Sequence, residues 1–321
     1  MKCLVFAEKA SRPLAKSTRD IVGRLHALGH SVQAAALAAN DDEAQTVAQA
    51  LASCGANEVV VDVDVAFATY DPGQWGEALF RLFEHSECEA VLLAHTFAGR
   101  ELAARFAQRV DAPLASDVIA IDELAPGESV THRAVHGGKA YEVVRTEGSP
   151  AVISVRPGAW RSGEVAAMTT SITTCDDVDP GAPMLEMVAF SERSSSRPSL
   201  DEADVVVAVG RGCSAAAREY AGELADLLGA ALGSSRGMVD SGLEGYETQV
   251  GQTGKTVAPQ LYIACGISGS IQHQAGMARS TYIVAINTDE SAPIFDIADL
   301  GVQADAEDTL RALVEQIKTS R

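Results

Sequence analysis

The sequence predicts an α/β protein of two domains, the first a parallel sheet with an antiparallel extension and the second doubly wound. Short apolar runs alternate with amphipathic segments from the N-terminus to Val110, which is typical of parallel strands covered by helices on both faces. Between residues 117 and 155 several β segments follow one another, which favours antiparallel hairpins. A new apolar strand begins near residue 204 and starts a second α/β unit.

Periodicity places the elements of the first domain. In the first helix Ile21, Leu25 and Leu28 share one face, and Gly29 is a suitable stop. We expect strands at 4–7, 32–37, 58–61, 90–94, 118–121, 130–135, 141–144 and 151–155, and helices at 17–28, 41–52, 75–83 and around 102–110. Gly137-Gly138 is predicted to form a turn between two of the later β segments.

A polar run, Arg193-Ser-Ser-Ser-Arg-Pro-Ser199, separates the two domains. We therefore predict a first domain over 1–192, a linker over 193–200 and a second domain over 201–321. In the second domain, residues 204–209 form an apolar strand, and Ser214 is suited to cap the helix that follows.

The composition excludes several functions. The 321 residues carry a formal net charge of −19, which argues against binding nucleic acid or anionic membranes. The N-terminal apolar run is too short for a signal peptide and no stretch is long enough to span a bilayer, so we expect a protein of the cytoplasm, or of a matrix-like compartment, without membrane insertion. The six cysteines and seven histidines show no metal-ligand spacing, so we assign no metal and expect buried, reduced thiols.

Gly210-Arg211-Gly212 stands between a strand and a helix, where parallel α/β domains bind anions. The pattern is weak because Ala215 occupies the third glycine position of the dinucleotide-binding fingerprint. A phosphate loop and a simple tight turn both remain open on this evidence.

Polar side chains and glycines are concentrated beside the apolar strands of the second domain. They occupy Ser235-Arg236, Gln249-Val250-Gly251-Gln252-Thr253-Gly254-Lys255, Gly266-Ile267-Ser268-Gly269-Ser270-Ile271-Gln272-His273, Asn287 and Asp305. Because open α/β sheets bind ligands beyond the carboxyl ends of their strands, this pattern predicts a ligand site there.

These motifs resemble the electron-transfer flavoprotein alpha subunit family. The runs 249–255 and 266–276 and the segment Ala292-Pro293-Ile294-Phe295 with Ala298-Asp299 are similar to its FAD-domain signatures. Ser116-Asp117-Val118 and Gly137-Gly138-Lys139-Ala140 extend a weaker similarity into the first half.

The resemblance implies an FAD site and a role for each matching position. Arg236 would lie over the isoalloxazine, Thr253 near flavin N5 and His273 near the O2 carbonyl. The remaining implied contacts are Arg211, Ser235, Gln249, Val250, Gly251 and Gln252 facing flavin or phosphate, Ser268, Gly269, Ser270, Ile271 and Gln272 around the pyrophosphate, and Asn287 and Asp305 at the adenosine end. A fixed cation near the ring favours its negatively charged reduced forms.

The resemblance also implies an electron carrier without catalytic residues of its own. It would pair with a beta subunit, accept electrons from flavin dehydrogenases such as acyl-CoA dehydrogenases and pass them to a quinone oxidoreductase. Two other classes stay open: a stand-alone FAD-dependent oxidoreductase and a nucleotide-binding regulatory module without redox turnover. No obvious carboxylate stands near Thr253 in the sequence to serve the first of these as a base.

Overall fold

The computed structural model describes residues 1–8, 14–138, 140–163, 169–175, 179–189 and 197–320. The chain forms two compact units, Met1–Ser191 and Glu192–Arg321. Half of the predicted linker, residues 193–196, and Lys139 of the Gly-Gly-Lys-Ala motif lie outside the described residues, so the linker stays a prediction.

The first unit is built on a nine-stranded sheet. Its strands are β1 (Lys2–Phe6), β2 (Ser31–Ala38), β3 (Glu58–Val63), β4 (Ala90–Ala94), β5 (Leu114–Ala125), β6 (Glu128–Val135), β7 (Ala140–Glu147), β8 (Ala151–Val155) and β9 (Ser171–Cys175), and its helices are α1 (Lys16–Ala27), α2 (Asp41–Ser53), α3 (Pro72–Glu84) and α4 (Phe97–Arg109). The strands lie in the order β7-β6-β5-β8-β4-β1-β2-β3-β9. Pairing is antiparallel between β5, β6 and β7 and parallel elsewhere.

The first unit buries apolar side chains on both faces of its sheet. Alternate residues of β1 enter different clusters: Val5 packs with Ile21 of α1, and Leu4 packs with Leu79 of α3. Side-chain caps define the starts of α2, α3 and α4, as when Asp71 Oδ1 accepts from the backbone N–H of Gln74 at 2.9 Å. The parallel sheet with an antiparallel extension is therefore confirmed.

The second unit is built on a five-stranded parallel sheet. Its strands are β10 (Val205–Val209), β11 (Ala231–Ser234), β12 (Leu261–Cys265), β13 (Tyr282–Asn287) and β14 (Leu300–Gln303), and its helices are α5 (Ala215–Leu228), α6 (Arg236–Asp240), α7 (Ile271–Met277) and α8 (Ala306–Ser320). The strands lie in the order β11-β10-β12-β13-β14 and all pairs are parallel.

Both faces of the second sheet are covered, as the doubly wound prediction requires. Val207 packs with Leu224 of α5 and Leu310 of α8 on one face, while Val206 packs with Met277 of α7 on the other. The chain moves from β10 to β11 on one side and then to β12 on the other, so the direction of winding reverses at β10. Within the described residues, no helix is both long and apolar enough to cross a membrane.

Candidate functional site

The loops that follow β10 and β12 touch at the point where the winding reverses. Gly212 N donates to Gly266 O at 3.1 Å, and a Cβ on Gly210 would stand 2.2 Å from the same oxygen. Gly266 itself has φ of +58°, a conformation that favours glycine. This crevice at the carboxyl end of the sheet is where open α/β folds bind ligands.

Two arginines lie beside this crevice. The aliphatic part of Arg211 packs so closely on Gly237 that a Cβ there would stand 2.8 Å from Arg211 Cδ. Ser235 N donates to Val209 O at 3.0 Å, which fixes the start of α6 next to the end of β10. Arg236, the first residue of α6, has a side chain that is 67% exposed and an ion pair with Asp240 at 3.3 Å. It is therefore an exposed cation held within its own short helix.

The loop of residues 249–255 folds back on itself. Gln249 O accepts from Lys255 N at 2.8 Å, and Gly251 N donates to Lys255 O at 3.1 Å. Gly254 allows this tight closure, since a Cβ there would stand 2.3 Å from Gln249 O. Val250 is buried, and its side chain packs in the hydrophobic core and so anchors the loop to it.

The loop exposes Gln252 and Thr253 while it buries Gln249. The Gln249 side chain, only 3% exposed, donates from Nε2 to Thr253 Oγ1 at 2.9 Å. The resemblance implied that Gln249 itself faces a ligand, whereas here its amide is directed to Thr253. The Thr253 carbonyl accepts in turn from the Tyr246 hydroxyl at 2.6 Å.

Helix α7 lies against this loop. Gln252 N donates to Gln272 O at 2.8 Å, and a Cβ on Gly276 would stand 2.4 Å from Gly251 N. Gly269 has φ of +78° and lies close to Ile294, which leaves no room for a side chain. Ser268, Ser270 and the first residues of α7, Ile271 and Gln272, are exposed.

His273 faces inward. Its Nε2 is 3.1 Å from the Tyr262 hydroxyl, and the histidine is 4% exposed. Burial lowers the pKa of His273 to about 4, although the backbone of Val250 opposes the fall, and burial raises the pKa of Tyr262. Both groups are thus neutral at pH 7.

The second ring nitrogen of this histidine, Nδ1, is buried and makes no hydrogen bond of normal geometry within the described residues, so the Val250 backbone opposes the fall in pKa only weakly. Because His273 Nδ1 is also sealed from solvent, a ligand atom reaches it only after neighbouring groups shift.

The two residues expected at the adenosine end support local structure at the same edge of the sheet. Asn287 Nδ2 donates to Ile267 O at 2.9 Å, which ties the end of β13 to the loop after β12. Asp305 Oδ1 accepts from Glu307 N at 2.8 Å and so caps α8. Ala304 N donates to Asn287 O at 3.1 Å and links the two positions.

The sequence-predicted residues therefore meet along one edge of the second sheet, but they fall into two groups. Gln249, Val250 and His273 are buried. The second group consists of polar side chains that are exposed or half-buried and make no hydrogen bond within the described residues. Its members are Arg211, Ser235, Gln252, Ser268 and Gln272. These free donors and acceptors can bind a polar ligand at the crevice. No group of three or more His, Cys, Asp or Glu side chains in the described residues is arranged to hold a metal ion.

The sequence did not single out Tyr246, Gly237 or Tyr262. Tyr262 lies in the apolar run of β12, and nothing local in the sequence signals its contact with His273, eleven residues later. Gly237 follows Arg236 directly, and a small residue at that position was the available signal for close packing by Arg211.

Comparison with known proteins gives matches to both units. Residues 3–180 match the family model of the electron transfer flavoprotein domain, and residues 199–278 match that of the electron transfer flavoprotein FAD-binding domain. The electron transfer flavoprotein subunit alpha of Syntrophomonas wolfei is 39% identical over 98% of both chains. That of Mycobacterium leprae is 37% identical over 100% of this chain and 99% of the relative, and that of Bacillus subtilis is 36% identical over 86% of this chain and 85% of the relative.

Proposed function

Because the chain belongs to the electron transfer flavoprotein alpha-subunit family, we propose that it carries electrons on an FAD bound at the carboxyl edge of its second sheet. The FAD-binding family model covers residues 199–278, which include the crevice loops, the loop 249–255 and α7. The observation that carries this placement is the set of free polar side chains at the winding reversal.

These residues suit a ligand with a polar, anionic middle and a planar ring. Arg211 supplies a cation at the crevice, while Ser268 and Gln272 present free side-chain groups beside the glycine turn at Gly269. Thr253 presents its hydroxyl on the exposed side of the neighbouring loop. The residues present therefore fit FAD, with Arg211, Ser268 and Gln272 on the phosphate side and Thr253 with Arg236 on the ring side.

FAD, when bound, supplies the reversible uptake and release of electrons. The chain's own residues bind and orient it. Exposed Arg236 places positive charge near the ring side, and Thr253 offers a hydrogen-bond donor held by Gln249. Asn287 and Asp305 act less directly, because both side chains hold the loops and α8 in place.

The finer assignments belong to the same proposal. The chain forms a heterodimer with an electron-transfer flavoprotein beta subunit, takes electrons from a dehydrogenase such as an acyl-CoA dehydrogenase and delivers them to a quinone oxidoreductase. It acts as a redox carrier with no catalytic residues of its own, in the cytoplasm. Its net charge of −19 favours partners that present basic surfaces.

An anaerobic reduction experiment tests this function. The chain is co-expressed with its beta subunit, the complex is isolated by size, and flavin absorbance is followed on adding an acyl-CoA substrate with and without its dehydrogenase. We expect bleaching only when the dehydrogenase is present. Bleaching by substrate alone would favour a stand-alone oxidoreductase, and a colourless folded complex would favour a nucleotide-binding module without redox turnover.

A further inference from the structure

We propose that Gln249 is a positioning residue, which holds the Thr253 hydroxyl so that its proton is directed out of the loop toward the bound ligand. The inference rests on the proposed function, because the ligand is the FAD assigned to this edge of the sheet. It assigns Gln249 a role through Thr253 and not through direct contact with the cofactor.

The side chains of Gln249 and Thr253 differ in exposure, so the hydrogen bond between them runs from a buried donor to an exposed acceptor. Gln249 is 3% exposed and Thr253 is exposed, and the bond from Gln249 Nε2 to Thr253 Oγ1 is 2.9 Å. A threonine hydroxyl has one proton to donate. When its oxygen accepts from a buried amide on the inner side, the remaining proton is free for an acceptor on the outer side.

Neither partner is free to move away. The Gln249 backbone is held at both ends, since its N–H donates to Tyr246 O at 3.0 Å and its carbonyl accepts from Lys255 N at 2.8 Å. The Thr253 carbonyl accepts from the Tyr246 hydroxyl at 2.6 Å. Thr253 is thus fixed by one side chain at its hydroxyl and by another at its carbonyl.

The neighbouring segment fixes the loop as a whole. The bond from Gln252 N to Gln272 O and the close packing of Gly276 on Gly251 join the loop to α7. Rotation of the hydroxyl is therefore the main freedom left at Thr253, and the bond from Gln249 restricts it. A donor fixed before the ligand arrives loses less entropy on binding than a rotating one.

A double-mutant cycle tests this role in the FAD-loaded complex of the full chain with its beta subunit. The variants are Gln249→Met, Thr253→Val and the pair together, and the readouts are FAD content and the midpoint potential of the bound flavin. Gln260→Met, at an exposed glutamine of the same unit, is the matched control. We expect Gln249→Met and Thr253→Val to shift the midpoint in the same direction, each by up to about tenfold in the reduction equilibrium, or about 59 mV for one electron.

The decisive result is non-additivity. If Gln249 acts only through the Thr253 hydroxyl, the double variant shows the shift of Thr253→Val alone, and Gln260→Met shows none. Additive shifts, or no shift for Gln249→Met while FAD stays bound, would overturn the inference.

A second readout needs no cofactor. Nuclear magnetic resonance of the Gln249 carboxamide protons in the ligand-free full chain should show slow exchange that becomes faster in Thr253→Val. Rapid exchange already in the wild type would show that the bond is absent and would overturn the inference. Absence of FAD from the wild-type complex would instead overturn the proposed function, and the inference with it.

Discussion

Burial of His273 makes the stability of the second unit depend on pH. Its pKa falls from the usual 6.5 to about 4 because the ring is buried against Tyr262. Between these values the unfolded chain binds a proton that the folded chain does not, so stability rises with pH in this window. The contribution is fully present above pH 6.5 and is lost as the pH falls toward 4. At about 1.4 kcal/mol for each pKa unit, the loss is about 3 kcal/mol.

The measurement compares wild type with His273→Gln between pH 7 and pH 4. Both tryptophans, Trp75 and Trp160, belong to the first unit, so unfolding of the second unit is best followed by hydrogen exchange of β12 during a urea titration. Burial also lowers the pKa of His95. Because wild type and His273→Gln both contain His95, its contribution to the pH dependence cancels when the two are compared at the same pH.

We expect wild type to lose about 3 kcal/mol more than His273→Gln over this range. His85→Gln, at an exposed histidine, is the matched control and should follow wild type. Equal losses in wild type and His273→Gln would refute the reasoning, as would a direct titration of His273 with a midpoint near 6.5.

Three further changes have expected outcomes. Arg236→Ala should make the flavin harder to reduce, but by no more than about 40 mV, because the side chain is 67% exposed and paired with Asp240; a redox titration that gives a shift well above this value would show a more buried cation. Asp71→Ala should destabilise the first unit by about 3 kcal/mol, since the carboxylate caps α3 and accepts from four backbone N–H groups. The test is urea unfolding followed by Trp75 fluorescence, and an unchanged midpoint would contradict this prediction. Gly254→Ala should lower FAD content, because the added Cβ would stand 2.3 Å from a backbone oxygen; full occupancy would show that the loop can open without loss of the site.

The elements that could be predicted from the sequence are those with a strong local pattern. The run at 204–209 is continuously apolar because both faces of its sheet are covered, and it forms β10. The sequence predicts Ser214 as the cap of α5, and its Oγ accepts from Ala217 N at 3.0 Å. By contrast β9, Ser171–Cys175, has four exposed residues out of five and pairs at the far edge of the sheet, so its side chains give no pattern of burial.

For the candidate site, the sequence indicated which loops meet but not which way each side chain turns. Loop position follows from strand order, because the carboxyl ends of parallel strands share one edge. The inward orientation of Gln249 and His273 depends on contacts with Thr253 and Tyr262 that only the folded chain creates. In a glycine-rich loop, the sequence predicts every polar residue as a ligand contact. It does not distinguish a residue that binds the ligand from one that supports such a residue.

The most direct test of the central claim is the cofactor content of the full chain purified with its beta subunit. The cofactor is released by denaturation, identified by chromatography against FAD, FMN, NAD and AMP standards, and related to the amount of this chain. The family and the free polar groups at the winding reversal predict FAD close to one per chain. A fully folded complex in which this chain holds NAD, or no flavin, would contradict the account.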